Sequence, residues 1–346
     1  MASDSPPLCS VIIVNFNGRH LLDACLDAVL SQSGPSFEVI LVDNGSTDGS
    51  AGHVRNHYPK VRIVDAGSNL GFSGGTNLGV EIARGGLIVL LNNDTIVEPG
   101  WIAGLVAAAA PADVAIVSSL VLTVGIPARY YERNGSINFL CHNIMRVFGR
   151  LENIFYGGGA SLLYKKELLG VPFDNEYFVY CEDVYLGLRA RFMGYRVLHS
   201  NASVVRHIGS ATSGKQKTAV ITFLQERNRM LTVLTFFSRW TIIRILPFLL
   251  INSVSKTALA LVSRRYSFPG LVRAYWWFLV HPRELREKRA LLARERFVHE
   301  REVISWMTGK LTNGESFPGK LLNGLALLWC RLVRLKTVDF LRARDR

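Results

Sequence analysis

The apolar run GGLIVLLNNDT ends at positions 92–94 in two asparagines and an aspartate. A carboxylate at the end of a buried strand, beside amide side chains, suits a hard divalent cation that also takes oxygens from a diphosphate. The same residues also suit a plain turn, because Asn and Asp side chains bond their own backbone. Further on, CEDVYLGLRARFMGYRV opens a helix with Glu182 and Asp183. Two acids there either cap the helix and favour its dipole or supply a general base at a pocket. His207, in VVRHIGSATSG, stands between an apolar run and a loop of small residues, where a histidine is either structural or a metal ligand. VDNGSTDGS places Asp43 at a strand end before a Gly/Ser turn. NLGFSGGTNLG (69–79) is Gly-rich and leads into a helix, so its backbone can approach a phosphate-bearing ligand. It is not GxGxxG, and no Walker lysine follows it.

These residues need elements to hold them. CSVIIVNFN, FEVILVDNG, VRIVDAG and GGLIVLLNNDT are short, β-branched apolar runs that end in polar residues. HLLDACLDAVLSQ and GGTNLGVEIAR, between them, carry apolar residues at helical spacing. Near-continuous apolar strands separated by helices predict an α/β fold, with a mostly parallel sheet covered on both faces. Ligands of such sheets bind beyond the C-terminal strand ends. Asn15, Asp43, Asp65 and Asn92–Asp94 should therefore share one rim. The pattern weakens over about 120–155 and resumes at YGGGASLLYKKELL. The Gly157–Gly159 run there either lets backbone pass close to a ligand or makes a tight bend.

The totals divide the chain in two. Residues 1–205 carry 14 Lys and Arg against 18 Asp and Glu, whereas residues 206–346 carry 26 against 9, a net charge of +17. Such asymmetry suggests a polyanionic partner for the back half. LTVLTFFSRWTIIRILPFLLINSVSKTALALVSRR is long and apolar but interrupted by Arg239, Arg244, Pro247 and Lys256, so no charge-free window of spanning length is expected. AYWWFLVHPRELREKR and LLNGLALLWCRLVRLK set aromatics and Leu beside clustered cations. This reads as helices lying in an anionic membrane interface, or as a helical subdomain with a solvated basic face. Nucleic acid is not the expected partner, because no recognised motif for it is present. The five cysteines show no metal-like spacing and are odd in number, which suits a reducing cytosol. The first ten residues, MASDSPPLCS, lack a signal-peptide pattern.

In this order and spacing, SVIIVNFNG, VDNGSTDGS, NLGFSGGTNLG, LLNNDT, GGGASLLYKKELL, EDVYLGLR and RHIGSATSG resemble the family-2 glycosyltransferases, and most of all the branch with bacterial rhamnosyltransferases. The resemblance covers roughly residues 8–230. It implies a GT-A nucleotide-diphospho-sugar transferase fold over 1–220; the basic amphipathic helical region over 221–346 is read from composition, since the resemblance does not cover it in any specific way. It also implies inverting transfer of a sugar, rhamnose by the nearest branch, from a nucleoside-diphosphate sugar to a saccharide hydroxyl in cell-surface polysaccharide synthesis. By resemblance Asp43 contacts the nucleobase with Asn15 close by; Asn69, Gly71 and Asn77 line the nucleotide pocket, and Asn92 reaches the ribose. Gly158 brings backbone to the nucleotide-sugar. Asp94 is the remaining carboxylate of a DxD-type motif and holds Mg2+ or Mn2+, and His207 falls at a metal or diphosphate contact. Asp183 stands where the family has its base, with Glu182 beside it. Tyr185 departs from the "EDVD" pattern of close relatives, which bears on the acceptor side.

The basic back half then implies a lipid-linked acceptor at the cytoplasmic side of the cell membrane, with the protein peripheral or interfacial. Two other readings compete. A sugar-nucleotide pyrophosphorylase would want a Gly-rich loop with Arg and Lys after the first strand, which VNFNGRHLLD lacks. A non-catalytic membrane scaffold on the same fold would not need the Asp43, Asp94 and Asp183 set.

Overall fold

The computed structural model describes residues 8–123, 136–144, 151–208, 218–263, 265–314 and 316–340. The chain forms two compact units. The first comprises residues 1–133, 147–186 and 195–211, and the second 134–146, 187–194 and 212–346.

The first unit is built on a nine-stranded sheet: β1 Cys9–Asn15, β2 Phe37–Asp43, β3 Val61–Asp65, β4 Leu87–Asn92, β5 Thr95–Val97, β6 Val114–Thr123, β7 Leu151–Asn153, β8 Ser161–Lys165 and β9 Arg196–His207. The strand order is β3-β2-β1-β4-β8-β6-β9-β5, with β7 added on β9. Strands β1 to β4 pair in parallel, as their continuous apolar runs predict. Beyond β4 the sheet is mixed, since β8 runs antiparallel to both β4 and β6. This is the GT-A-like architecture, less uniformly parallel than expected.

Helices cover the sheet. On one face Leu22, Leu26 and Val29 of α1 (Arg19–Leu30) and Trp101, Ile102 and Leu105 of α4 (Trp101–Ala109) join Val11, Ile13, Val39, Leu41, Val89 and Leu91 in the core. Helix α3 (Gly71–Ile82) packs against β1 and β2 through residues of opposite parity. A Cβ on Gly75 would stand 2.8 Å from Val14 Cγ1, and one on Gly79 would stand 2.6 Å from Ile12 Cγ2. The glycines of GGTNLG thus serve close helix–sheet approach.

The second unit holds α7 Ala219–Phe236, α8 Arg239–Val262, α9 Phe268–Val280, α10 Pro282–Arg294, α11 Glu300–Ser305 and α12 Phe317–Leu332. Among the described residues, α8 is the one helix long and apolar enough to cross a membrane by length and composition, where charged interruptions had argued against such a segment. Inside this unit Glu226 of α7 is buried with Arg229 Nη2 at 2.5 Å and Lys256 Nζ at 2.6 Å, and Tyr275 donates its hydroxyl at 3.3 Å. Burial would raise the Glu226 carboxyl, but the two cations outweigh it and hold it well below the ordinary range. That stabilisation is fully present above the ordinary glutamate range and is lost progressively as pH falls below that range toward the depressed native value. Glu226→Gln leaves two cations without their anion, at an expected cost of about 3–5 kcal/mol, to be measured by denaturant unfolding. All five cysteines are free thiols.

Candidate active site on the sheet rim

The parallel register assembles the polar strand ends. Asn15 pairs with Asp43, Asp43 with Asp65, and Val14 with Asn92, so the C-termini of β1, β2, β3 and β4 form one rim. Asp65 is exposed there and accepts from Gly67 N, a local turn. Asp43 is buried, and its Oδ1 has no hydrogen-bond partner among the described residues. Asn15, fully buried, holds neighbouring loops in place: its Oδ1 accepts from Asn93 Nδ2 at 2.8 Å and its Nδ2 donates to Ser46 Oγ at 3.2 Å. The Asn92 side chain is half-buried at the end of β4, while its backbone N–H donates to Ala160 O at 3.0 Å.

The Gly-rich segment acts largely through a second loop. Asn69 Oδ1 accepts from Gly71 N at 2.9 Å and from Asn44 Nδ2 at 3.1 Å. Gly71 has φ +71°, and a Cβ there would lie 2.3 Å from Phe178 O. Ser73 N donates to the same carbonyl at 3.0 Å. Asn77 Nδ2 donates to Phe173 O at 2.8 Å and Asn175 Oδ1 at 2.7 Å, and its Oδ1 accepts from Phe173 N at 3.3 Å. Helix α3 therefore straps down residues 173–178, the chain leading to Glu182 and Asp183. That loop engages Asn77 through its Nδ2 and through one acceptor position of its Oδ1. Asn77→Ala should cost about 1–3 kcal/mol from the unpaired groups left behind. Denaturant unfolding of the variant beside the wild type measures that cost.

Asp94 and His207 meet because β5 pairs antiparallel with β9, setting Thr95 opposite His207. Ile208 N donates to Asp94 O at 2.9 Å, and His207 Nε2 lies 3.1 Å from Asp94 Oδ2. Asp94 Oδ1 is buried and has no hydrogen-bond partner among the described residues. A buried anionic oxygen with an open lone pair beside an imidazole fits a divalent cation. No group of three or more His, Cys, Asp or Glu side chains suited to a metal occurs among the described residues, so further ligands would have to come from substrate or water. The small-residue loop after His207, 209–217, lies outside the described residues.

Asp183 and Glu182 open helix α6 (Glu182–Phe192). Asp183 Oδ1 accepts from Val184 N at 2.8 Å, and the Gly159 N–H also bonds its carboxylate. The Gly157–Gly159 run thus lies between the two acidic centres: Ala160 bonds Asn92, and Gly159 bonds Asp183. Gly158 has open space where a Cβ would be, and its N–H donates to Ser118 Oγ at 3.3 Å. Burial raises both carboxyls above the ordinary range, Glu182 further because the Asp183 charge stands beside it. Asp183 is half-buried and reachable, whereas Glu182 is buried with Oε2 lacking a partner among the described residues. Tyr185 is buried with its ring 5.2 Å from that of Tyr177, so its departure from the family pattern fills space.

Two features had no sequence signal. Phe178, Tyr180 and Cys181 all have positive φ (59°, 76° and 68°), which bulky residues rarely adopt, just ahead of the acidic pair. Asn44 reads as half of an Asn-Gly turn but fixes the 69–71 segment, donating to Gly71 O at 3.0 Å and accepting from Leu70 N at 3.0 Å.

Residues 10–171 match the family model described as glycosyl transferase family 2. An uncharacterized glycosyltransferase of Haemophilus influenzae is 27% identical over 241 residues, covering 63% of this chain and 74% of its own length. A mannosyltransferase of Pyrobaculum calidifontis, solved in complex with GDP-Man and Mn2+, superposes with TM-score 0.51 at 18% identity over 96% of this chain and 87% of that one. GalNAc-T7, solved with UDP, GalNAc and Mn2+, gives TM-score 0.59 at 14% identity over 81% of this chain and 58% of that one. At these identities the two structures speak for the fold alone. Residues 10–171, the part of the chain that the family model matches, hold most of the sheet and the strand-end rim.

Proposed function

We propose that the protein is an inverting glycosyltransferase that takes a nucleoside-diphosphate sugar as donor and a saccharide hydroxyl as acceptor. One observation carries the reading. Among the described residues, the buried carboxylate oxygens without a hydrogen-bond partner belong to Asp43, Asp94 and Glu182, the first at the end of β2, the second in the turn just after β4 and the third in the first turn of α6. Unpartnered buried acceptors are costly, and those of Asp43 and Asp94 are explained by groups that arrive with substrate; burial and the Asp183 charge raise the Glu182 carboxyl and favour its neutral form.

Asp43 takes a donor N–H from the nucleobase, and Asn15 keeps the surrounding loops in register. Asp94, with His207, would hold Mg2+ or Mn2+. When bound, such an ion supplies a positive charge for the leaving diphosphate. Asp183 accepts the proton of the attacking acceptor hydroxyl, and the raised position of its carboxyl suits a base working near neutral pH. Attack from the face opposite the diphosphate inverts the anomeric centre.

The sugar we propose is rhamnose, from the resemblance of the motif set. The acceptor we propose is lipid-linked, in cell-surface polysaccharide synthesis at the cytoplasmic side of the membrane; the basic, apolar helices after residue 220 support that placement. A panel of nucleoside-diphosphate sugars with Mg2+ or Mn2+, read out as released nucleotide and product anomer, tests the activity. Absence of both binding and turnover across the panel would refute it. Binding without turnover would leave a nucleotide-sugar-binding scaffold.

A further inference from the structure

Helices α9 and α12 begin alike, at Ser267-Phe-Pro-Gly270 and Ser316-Phe-Pro-Gly319. Serine stands at the N-cap and proline in the first turn, where its missing N–H costs nothing. The likeness extends along both helices. Counting from the phenylalanine, large apolar residues recur at the fourth, eighth and eleventh positions: Val272, Trp276 and Leu279 in α9, and Leu321, Leu325 and Leu328 in α12. This is the spacing of one helical face, which ordinarily turns toward a core. Here both stripes, phenylalanines included, are exposed.

Helix α8 adds a third such face. Trp240, Ile243, Leu246, Leu250, Ile251, Val254, Leu261 and Val262 are exposed, and no fully exposed position from 240 to 262 is charged. Its two internal cations are half-buried, and Lys256 is held inward by the buried Glu226. The other side of α8 is packed: Ile245, Phe248 and Leu249 are buried, the Phe248 ring meets Trp329 of α12 at 6.3 Å, and Trp329 Nε1 donates to Arg244 O at 2.7 Å. At 13 and 16 residues, α9 and α12 are about 20 and 24 Å long and too short to cross a bilayer. Arg239, Arg265, Arg273, Lys320, Arg331 and Arg334 are exposed at the ends and flanks of these three helices.

We infer that the exposed apolar faces of α8, α9 and α12 form a docking surface for an anionic lipid bilayer, with the helices lying in the interface rather than crossing it. The inference deepens the membrane-side placement proposed above by naming its surface. Apolar faces bury into the acyl boundary, and the flanking cations meet anionic headgroups. Water-soluble chains do not ordinarily leave three such faces uncovered. The charge complementarity selects lipid over a second copy of this chain, whose matching surface would bear the same positive charge.

Flotation of the full chain with phosphatidylcholine vesicles, with and without phosphatidylglycerol, tests this without any sugar donor. Binding should be strong with phosphatidylglycerol, weaker without it, and reduced by added salt. Trp276→Glu and Leu325→Glu, on different helices and at exposed positions, should each lower vesicle partition about tenfold, with unchanged circular dichroism. Failure of the wild-type chain to float on either vesicle would overturn the inference, as would variants that float like wild type. A stable dimer dissolved by the same substitutions, without vesicle binding, would overturn it in favour of self-association. Nucleotide-sugar binding is measured separately and without vesicles. Its loss with vesicle binding intact would refute the catalytic reading alone, and the reverse result would refute the lipid surface alone.

Discussion

Asp183→Asn is expected to lower the transfer rate by about 100- to 10,000-fold, the range a general base supplies, while donor binding is retained. The amide keeps the size of the side chain and can still accept from Val184 N, so the start of α6 should hold. What it loses is the capacity to take a proton. Because burial raises the Asp183 carboxyl, the wild-type rate should climb across weakly acidic pH as that carboxyl ionises, later than an exposed aspartate would allow. The variant should lack this rise. A pH profile of kcat beside a titration with nucleotide separates the two effects. Retained turnover, or an unchanged acid limb, would remove Asp183 from the role of base.

Asp94→Ala is expected to be of similar size by a different route, about 100- to 1000-fold in rate, the loss that attends removal of charge stabilisation at a leaving group. The variant loses the buried oxygen that has no partner among the described residues and also the anchor of the His207 ring. Stimulation by Mn2+ after chelation should shift to much higher metal concentration or vanish. His207→Ala should be milder, about 10- to 100-fold, as for a group that orients or supplements a ligand. Direct Mn2+ binding in the presence of nucleoside diphosphate provides a readout independent of turnover. If Asp94→Ala binds Mn2+ as wild type does, the cation sits elsewhere.

Much of the site can be read from strand ends alone. The runs SVIIVN, EVILVD and LIVLLN are apolar through their middles and end abruptly in a polar residue, so parallel pairing in register must bring Asn15, Asp43 and Asn92 to one edge. The Gly-rich stretch is less transparent. Its composition suggests a phosphate loop, yet Gly75 and Gly79 let α3 settle on Val14 and Ile12, and Gly71 makes room for Phe178. Glycine frequency cannot distinguish a ligand from a neighbouring backbone, because both need the same missing Cβ.

What the sequence determined by itself was local: the apolar periods that make β1 to β4 parallel and buried, the acids that open α6, and the excess of cations after residue 206. Only the tertiary structure decided the pairings across long separations. Asp94 meets His207 across 113 residues because β5 adds antiparallel to β9, and Asn77 reaches Asn175 across 98 because α3 lies against that loop. The positive φ of Phe178, Tyr180 and Cys181 is likewise a product of their surroundings, since no intrinsic preference of those residues favours it. Local patterning arises from side-chain chemistry a few residues apart. The partner that completes a buried amide or carboxylate is chosen by which strands and helices come to lie together.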